Sequence, residues 1–161
     1  MNSVQPTQIP GDVAPTGSAL GTVADLWACS QVVLWFTAHF DAGEYAEMEQ
    51  YFAPDGVWFQ ARGPIHGRGE LRERMASMPA DQVMRHVLTN LRPTFISADQ
   101  VLVDSYFTVY LEPRPTGVLS VPTAGARNVG RYRDTLRKID GHWLLSERSV
   151  HFDLKLSPSP T

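Results

Sequence analysis

Residues 83–91, Val83-Met84-Arg85-His86-Val87-Leu88-Thr89-Asn90-Leu91, are the stretch on which the reading of the chain turns. Its Val, Leu and Thr suit a half-buried β-strand. Successive strand side chains point to opposite faces. His86, Leu88 and Asn90 are therefore expected on one face, with Arg85, Val87 and Thr89 on the other. The first face sets an imidazole and a carboxamide among apolar neighbours. If that face is the inner one, a titratable group is held in an apolar pocket, which is where chemistry is sought.

Downstream the pattern stays that of strands, over 83–97, 101–111, 127–138 and 142–152. Ala98-Asp99-Gln100 joins the first pair, and Asp140-Gly141 is a hairpin signal between the last two. The middle pair is linked by a loop holding Pro113, Pro115, Gly117, Pro122 and Gly125, and such long loops often sit over a site.

Upstream the period changes to that of helices. Leu26, Cys29, Val33, Phe36 and Phe40 follow helical spacing, and Thr22 with Asp25 forms a capping-box pattern. Trp27, Val32 and Trp35 widen the apolar surface, so this helix is expected to be covered on more than one side. Cys29 lies on the stripe and reads as packing. Gly43 suits the C-terminal cap. A second short helix carries Tyr45, Met48 and Phe52 on one side. Pro54-Asp55-Gly56 reads as a turn, Val57 to Gln60 as a short strand and Gly63 to Gly67 as a loop. A third helix is expected from Gly69 to Met78, stopped by Pro79. Helices segregated from an antiparallel sheet make an α+β domain. A curved, mostly antiparallel sheet with three N-terminal helices closing its concave side leaves a cone-shaped cavity.

The 161 residues suit one domain, expected over 21–153 between a flexible arm, 1–20, and a loose tail, 154–161. A net charge of −3 argues against a nucleic-acid binder or a membrane-surface binder. The lone Cys29 allows no intramolecular disulfide and fits a cytoplasmic location. No basic segment followed by an apolar core opens the sequence, so no signal peptide is expected. No apolar run approaches the roughly 20 residues of a membrane span. His39, His66, His86, His142 and His151 show no paired metal-ligand spacing. Gly67-Arg68-Gly69 does not extend into a dinucleotide fingerprint, and there is no Gly-x-Ser-x-Gly elbow or P-loop. No metal and no cofactor are expected.

An ordered set of short runs carries a resemblance: Phe40-Asp41-Ala42-Gly43-Glu44-Tyr45, Phe52-Ala53-Pro54-Asp55-Gly56-Val57, Gly67-Arg68-Gly69-Glu70-Leu71, Arg85-His86-Val87-Leu88-Thr89-Asn90, Gly130-Arg131-Tyr132-Arg133-Asp134 and Trp143-Leu144-Leu145-Ser146-Glu147-Arg148. Together, over residues 22–152, they resemble the SnoaL-like branch of the nuclear transport factor 2-like superfamily, and most of all its members akin to scytalone dehydratase and bile acid 7α-dehydratase. The resemblance implies a cone-shaped α+β barrel, usually a homodimer through the outer face of the sheet. It also implies a cofactor-independent lyase or isomerase, with His86 as general base and acid and Asp41 as its orienting partner. Phe40 stands where scytalone dehydratase has a tyrosine, and Gln60 falls near another. Oxygenase beta subunits share the fold without catalysis, so a binding or subunit-like domain is the alternative.

The Asp41–His86 pair is chemically sufficient for proton abstraction beside a carbonyl. Imidazole titrates near neutrality, and a carboxylate on one ring nitrogen leaves the other free to take a proton. Each residue also has a structural reading. Asp41-x-x-Glu44 fits a helix N-terminal cap, and His86 could be a core histidine satisfied by Asn90 or by backbone. Asn90, Gln60, Trp58, Phe40, Tyr106 and Tyr132 complete the set of candidate pocket residues. Tyr106 shares a strand face with Asp104, Thr108 and Tyr110, and Tyr132 shares one with Gly130 and Asp134. Arg127, Arg131, Arg133 and Arg137 share a parity that suits a solvated or dimer-facing stripe. The expected ligand is a small apolar or cyclic compound bearing hydroxyl or carbonyl groups.

Overall fold

The computed structural model describes residues 21–114 and 125–155. The expected arm, most of the loop between the two middle strands, and the chain beyond Lys155 lie outside the described residues. Three helices, α1 (Val23–Ala42), α2 (Tyr45–Gln50) and α3 (Gly67–Ala76), precede or interrupt six strands. These are β1 (Phe52–Phe59), β2 (Ile65–His66), β3 (Gln82–Ser97), β4 (Gln100–Pro113), β5 (Asn128–Ile139) and β6 (His142–Lys155). They form one curved, unclosed sheet in the order β2-β1-β6-β5-β4-β3. Only β1 and β6 run parallel; the other neighbours are antiparallel. Among the described residues no helix is long and apolar enough to cross a membrane.

Helix α1 starts as its sequence predicts. The Thr22 hydroxyl accepts from the Asp25 amide while the Asp25 carboxylate accepts from the Thr22 amide. Asp25 also accepts from Lys138 and from the Trp143 indole, tying the helix start to the last hairpin. The helix ends at Gly43, whose φ of 77° is left-handed. Cys29, Val32, Val33 and Phe36 pack into a core with Val101, Val103, Leu136 and Leu145, so α1 lies across the inner face of the sheet. Burial pushes the Cys29 thiol up to about 12, the property of a packing residue. Trp27 and Trp35 are 66% and 50% exposed, contrary to the expectation of a second covered side. Trp35 stacks instead on His39, which stacks on Tyr51.

Several other local expectations are corrected. Pro54-Asp55-Gly56 is no turn: β1 runs through it, with an irregularity in its pairing to β6 between Phe52 and Val57 that absorbs the turn-forming residues. Phe52 accordingly belongs to β1 and not to α2. Part of the Gly63–Gly67 segment is strand, because Ile65 and His66 pair with Trp58 and Val57. Helix α3 starts at Gly67 and ends at Ala76, and β6 continues through Leu154 and Lys155, past the expected domain end at 153.

The long strands have the expected order, but two of them do not keep one alternation from end to end. In β3, Thr89 pairs with Tyr106 and Arg92 with Asp104, so Asn90 and Leu91 together face Ser105. This is a β-bulge, with Asn90 in the left-handed region at φ 53°. Before it His86 and Leu88 point inward; after it Leu91 and Phe95 do, and all but His86 pack on the core. In β6, Leu145 pairs with Leu136 and Glu147 with Thr135, so Ser146 is the extra residue. Inward positions pass from Trp143 and Leu145 to Arg148. Both slips raise local twist and curvature, which lets one sheet wrap α1. Asn90→Val is expected to cost about 1–2 kcal/mol, because a branched Cβ resists the left-handed conformation. Asn90→Gly is expected to stay within a few tenths of a kcal/mol. Urea denaturation midpoints check both.

Candidate active site

Asp41 is the penultimate residue of α1, held just before the Gly43 cap. A carboxylate there faces the negative end of the helix dipole and needs donors to hold it. His86 supplies two. Strand β3 is a sheet edge, so alternate N–H groups point away from the ladder. The backbone N–H of His86 donates to Asp41 Oδ2 at 2.6 Å, and ring Nδ1 lies 2.7 Å from Asp41 Oδ1. A carboxylate only accepts, so Nδ1 carries the ring proton and Nε2 is the basic nitrogen. Arg85 donates to the Asp41 carbonyl and fastens the helix end to the same strand. The two side chains are 7% and 9% exposed, so the pair is shielded from bulk water. The helix-cap reading of Asp41 is thereby excluded: α2 is preceded by Glu44, and both Asp41 oxygens are engaged by His86.

His86 lines a cavity of about 330 Å³ together with Phe40, Trp58, Gln60 and Tyr132. Met75, Met84, Leu111, Val150 and Phe152 add apolar wall. The imidazole packs 5.7 Å from the Phe40 ring, 6.2 Å from Phe107 and 6.3 Å from Tyr132, between centroids. Phe107 and Tyr132 stack at 4.4 Å over Gly130, where a Cβ would meet the Phe107 ring and the His151 carbonyl. Burial pushes the Tyr132 phenol far above its ordinary value, with the Arg148 charge opposing, so it is a neutral donor. Its hydroxyl has no hydrogen-bond partner among the described residues.

Five of the pocket candidates thus come together around Asp41's partner: Phe40, Trp58, Gln60, Tyr132 and His86 itself. Asn90 does not join them. The bulge turns it to the surface, so the shared face with His86 expected from simple alternation fails at this residue. Tyr106 is on the outer face, 39% exposed and paired across from Arg131. The arginine stripe is also outside, where Arg131 meets Asp153, Arg133 meets Asp104 and Arg137 meets Asp55.

One group went unnoticed in the sequence. Arg148 and Asp134 lie at 1% and 0% exposure beneath the cavity. Two parallel contacts of 2.8 and 2.7 Å join them, the geometry of an ionised fork-to-carboxylate pair. Burial works against the guanidinium charge, but the facing carboxylate outweighs it and holds Arg148 above its ordinary value. Burial pushes the Asp134 carboxyl up, and Arg148 opposes that. The guanidinium also sits 4.2 Å from the centroid of Tyr132 and 4.9 Å from that of Phe36. Among the described residues no group of three or more His, Cys, Asp or Glu is placed to hold a metal ion.

Residues 21–149 match the family model of the SnoaL-like domain. No curated protein matches the chain. Solved structures do. One, from Novosphingobium aromaticivorans and provisionally named a scytalone dehydratase, aligns with a TM-score of 0.66 at 19% identity, over 83% of this chain and 87% of that one. The hexachlorocyclohexane dehydrochlorinase LinA-type3 of Novosphingobium barchaimii gives 0.68 at 17% identity, over 84% and 90%. A protein of Catenulispora acidiphila, solved in complex with S-DNPA, gives 0.67 at 24% identity, over 82% and 96%. At these identities the likeness is one of fold.

Removing one partner of a buried ion pair strands the other charge. Arg148→Met alone is expected to lower unfolding free energy by about 3–5 kcal/mol. The double change Asp134→Leu with Arg148→Met is expected to regain most of that loss. Chemical denaturation of the three proteins side by side measures the difference.

Proposed function

Since the chain belongs to the SnoaL-like domain family, we propose that it is a small-molecule lyase or isomerase of the dehydratase type, with His86 as its base and acid. The observation that carries the reading is the shielded 2.7 Å contact between Asp41 and His86 Nδ1 at the wall of an apolar cavity. With the ring proton fixed on Nδ1, Nε2 takes a proton from the carbon beside a substrate carbonyl. The charge moves to the carbonyl oxygen, where the neutral Tyr132 phenol donates. The imidazolium is stabilised by Asp41 and returns its proton to the departing hydroxyl, which leaves as water. A conjugated carbonyl compound remains, so atoms and charge balance with no other reagent. An isomerisation uses the same first step and returns the proton to a different carbon. The apolar wall strengthens each of these interactions by excluding water. Phe40 and Trp58 hold the body of a cyclic substrate, and Gln60 offers a polar contact at one side.

The proposal includes a cytoplasmic homodimer formed through the outer face of the sheet. Supporting it, Val87, Tyr106 and Tyr110 expose 50%, 39% and 40% of their surfaces on that face.

Turnover is sought by screening hydroxylated cyclic carbonyl compounds for the ultraviolet absorbance of a conjugated product. His86→Ala is expected to lower kcat by about a hundred- to ten-thousand-fold with an unchanged fold. Full turnover by that variant would reject the assignment. Asp41 acts through His86, so its test is spectroscopic. Nitrogen NMR of labelled histidine is expected to show the neutral ring protonated on Nδ1 in the native protein. Asp41→Asn is expected to move that proton to Nε2, because a carboxamide can donate to Nδ1. An unchanged tautomer would leave Asp41 a purely structural partner.

A further inference from the structure

The cavity described above is unevenly charged around its rim. Its lining residues include Arg62 and Arg74, with no Asp or Glu among them. Arg62 follows the end of β1 and is exposed; Arg74 lies in the last turn of α3 and is half-buried. Other arginines are engaged: Arg72, Arg131, Arg133, Arg137 and Arg148 face carboxylates, while Arg68, Arg85 and Arg114 donate to backbone carbonyls. Arg62 and Arg74 have no carboxylate partner among the described residues. Arg74 makes one side-chain contact, donating from Nη1 to Gln60 Oε1 at 3.3 Å. That bond fixes the carboxamide with its oxygen on the arginine, so the Gln60 amide nitrogen is left as a further donor.

We propose that this rim binds the anionic head of the ligand, a largely apolar carboxylic acid whose carboxylate is received by Arg62, Arg74 and the Gln60 amide. The inference rests on the reading of the cavity as a small-molecule site and adds the ligand's charge and orientation. Both charged groups on the lining are cationic, no carboxylate stands beside them, and the Gln60 oxygen is already taken by Arg74, which matches an oxyanion and not a cation or an amine. A cation at the last turn of α3 is favourable to the helix dipole. That accounts for a positive residue at Arg74 but not for its place on the cavity lining beside Gln60. With the carboxylate at the rim, the apolar body runs along Trp58 and Phe40 toward His86, so the head group selects which end of the molecule meets the base.

The test uses binding, so it needs no turnover. Cinnamate and its uncharged isostere cinnamamide are titrated into the full-length protein by calorimetry. Cinnamate is expected to bind about tenfold more tightly, with an affinity that falls as salt is added. Arg74→Gln and Arg62→Gln are each expected to remove about three- to tenfold of the cinnamate affinity and leave cinnamamide unchanged. Arg62 is exposed, so its variant cannot fail merely by unfolding. Equal binding of the two compounds, absence of cinnamate binding, or a preference that survives both substitutions overturns the proposal. None of these outcomes touches the role of His86, which is judged by the kcat of His86→Ala. Conversely, a charge preference in a protein whose turnover ignores His86 upholds the anion rim and rejects the base.

Discussion

The buried pair of Arg148 and Asp134 is the contact on which the arrangement of the interior depends. Taking both charges out of water costs several kcal/mol each, and the pair by itself need not repay that cost relative to an apolar core. What it supplies is placement. Asp134 belongs to β5 and Arg148 to β6, and they meet only if Ser146 is the residue left over between Leu145 and Glu147. A slip of the hairpin by one residue would bury Glu147 opposite Asp134 and turn Arg148 to solvent. The guanidinium also reaches the Thr37 hydroxyl of α1 at 3.4 Å and faces the rings of Phe36, Tyr132 and Trp58. One charge thus locates a helix, two strands and the tyrosine that lines the cavity.

The same pair explains what could and could not be read from the sequence. The four long strands, the α1 stripe and its capping box were legible because each is a local pattern: period two, period near four, or a side chain three residues from its partner. The meander and the α+β class follow from their order. The bulges were not legible, since an extra residue leaves no mark on composition and changes every side-chain direction beyond it. From Trp143 and Leu145, strict alternation puts Glu147 inside and Arg148 outside, the reverse of what is found. From His86 and Leu88 it puts Asn90 inside, and the bulge at Asn90 itself undoes this. The clue available was Asn90 as a residue type, because asparagine tolerates the left-handed conformation better than most.

The candidate site was legible to a different degree. The faces of β4 and β5 hold a single alternation, so Tyr132 and Tyr106 had to fall on one side or the other, and only the curvature decides which. The direction of β1 after Val57 then carries Trp58 and Gln60 to the concave side. The contact between Asp41 and His86 spans 45 residues and depends on α1 ending where a free edge amide is available. Nothing local encodes that meeting. The ordered resemblance pointed to it, and the structure supplies the physical cause: a carboxylate at a helix C-terminus is poorly placed unless donors come to it. Here the donors are the backbone and the ring of the same histidine.

This arrangement has a consequence for how the histidine behaves. The backbone bond holds the carboxylate against the edge strand, so the acceptor of the ring proton is fixed in place and turning the imidazole gives up the Nδ1 contact; the free nitrogen is aimed by the edge of the sheet and not by side-chain packing alone. Phe40, on the turn of α1 that precedes Asp41, rests against both the His86 ring and Trp58, which closes the remaining direction of escape. A group so constrained costs little to reorganise when charge develops on it, which is the physical condition for electrostatic help to a reaction. Rigidity at the base and donors at the rim then serve different purposes. In the proposed reaction the first would fix where a proton is taken, and the second which end of a molecule is presented there. Between them lies an apolar wall that holds a ligand without choosing its orientation, so the polar residues at its two ends must make that choice.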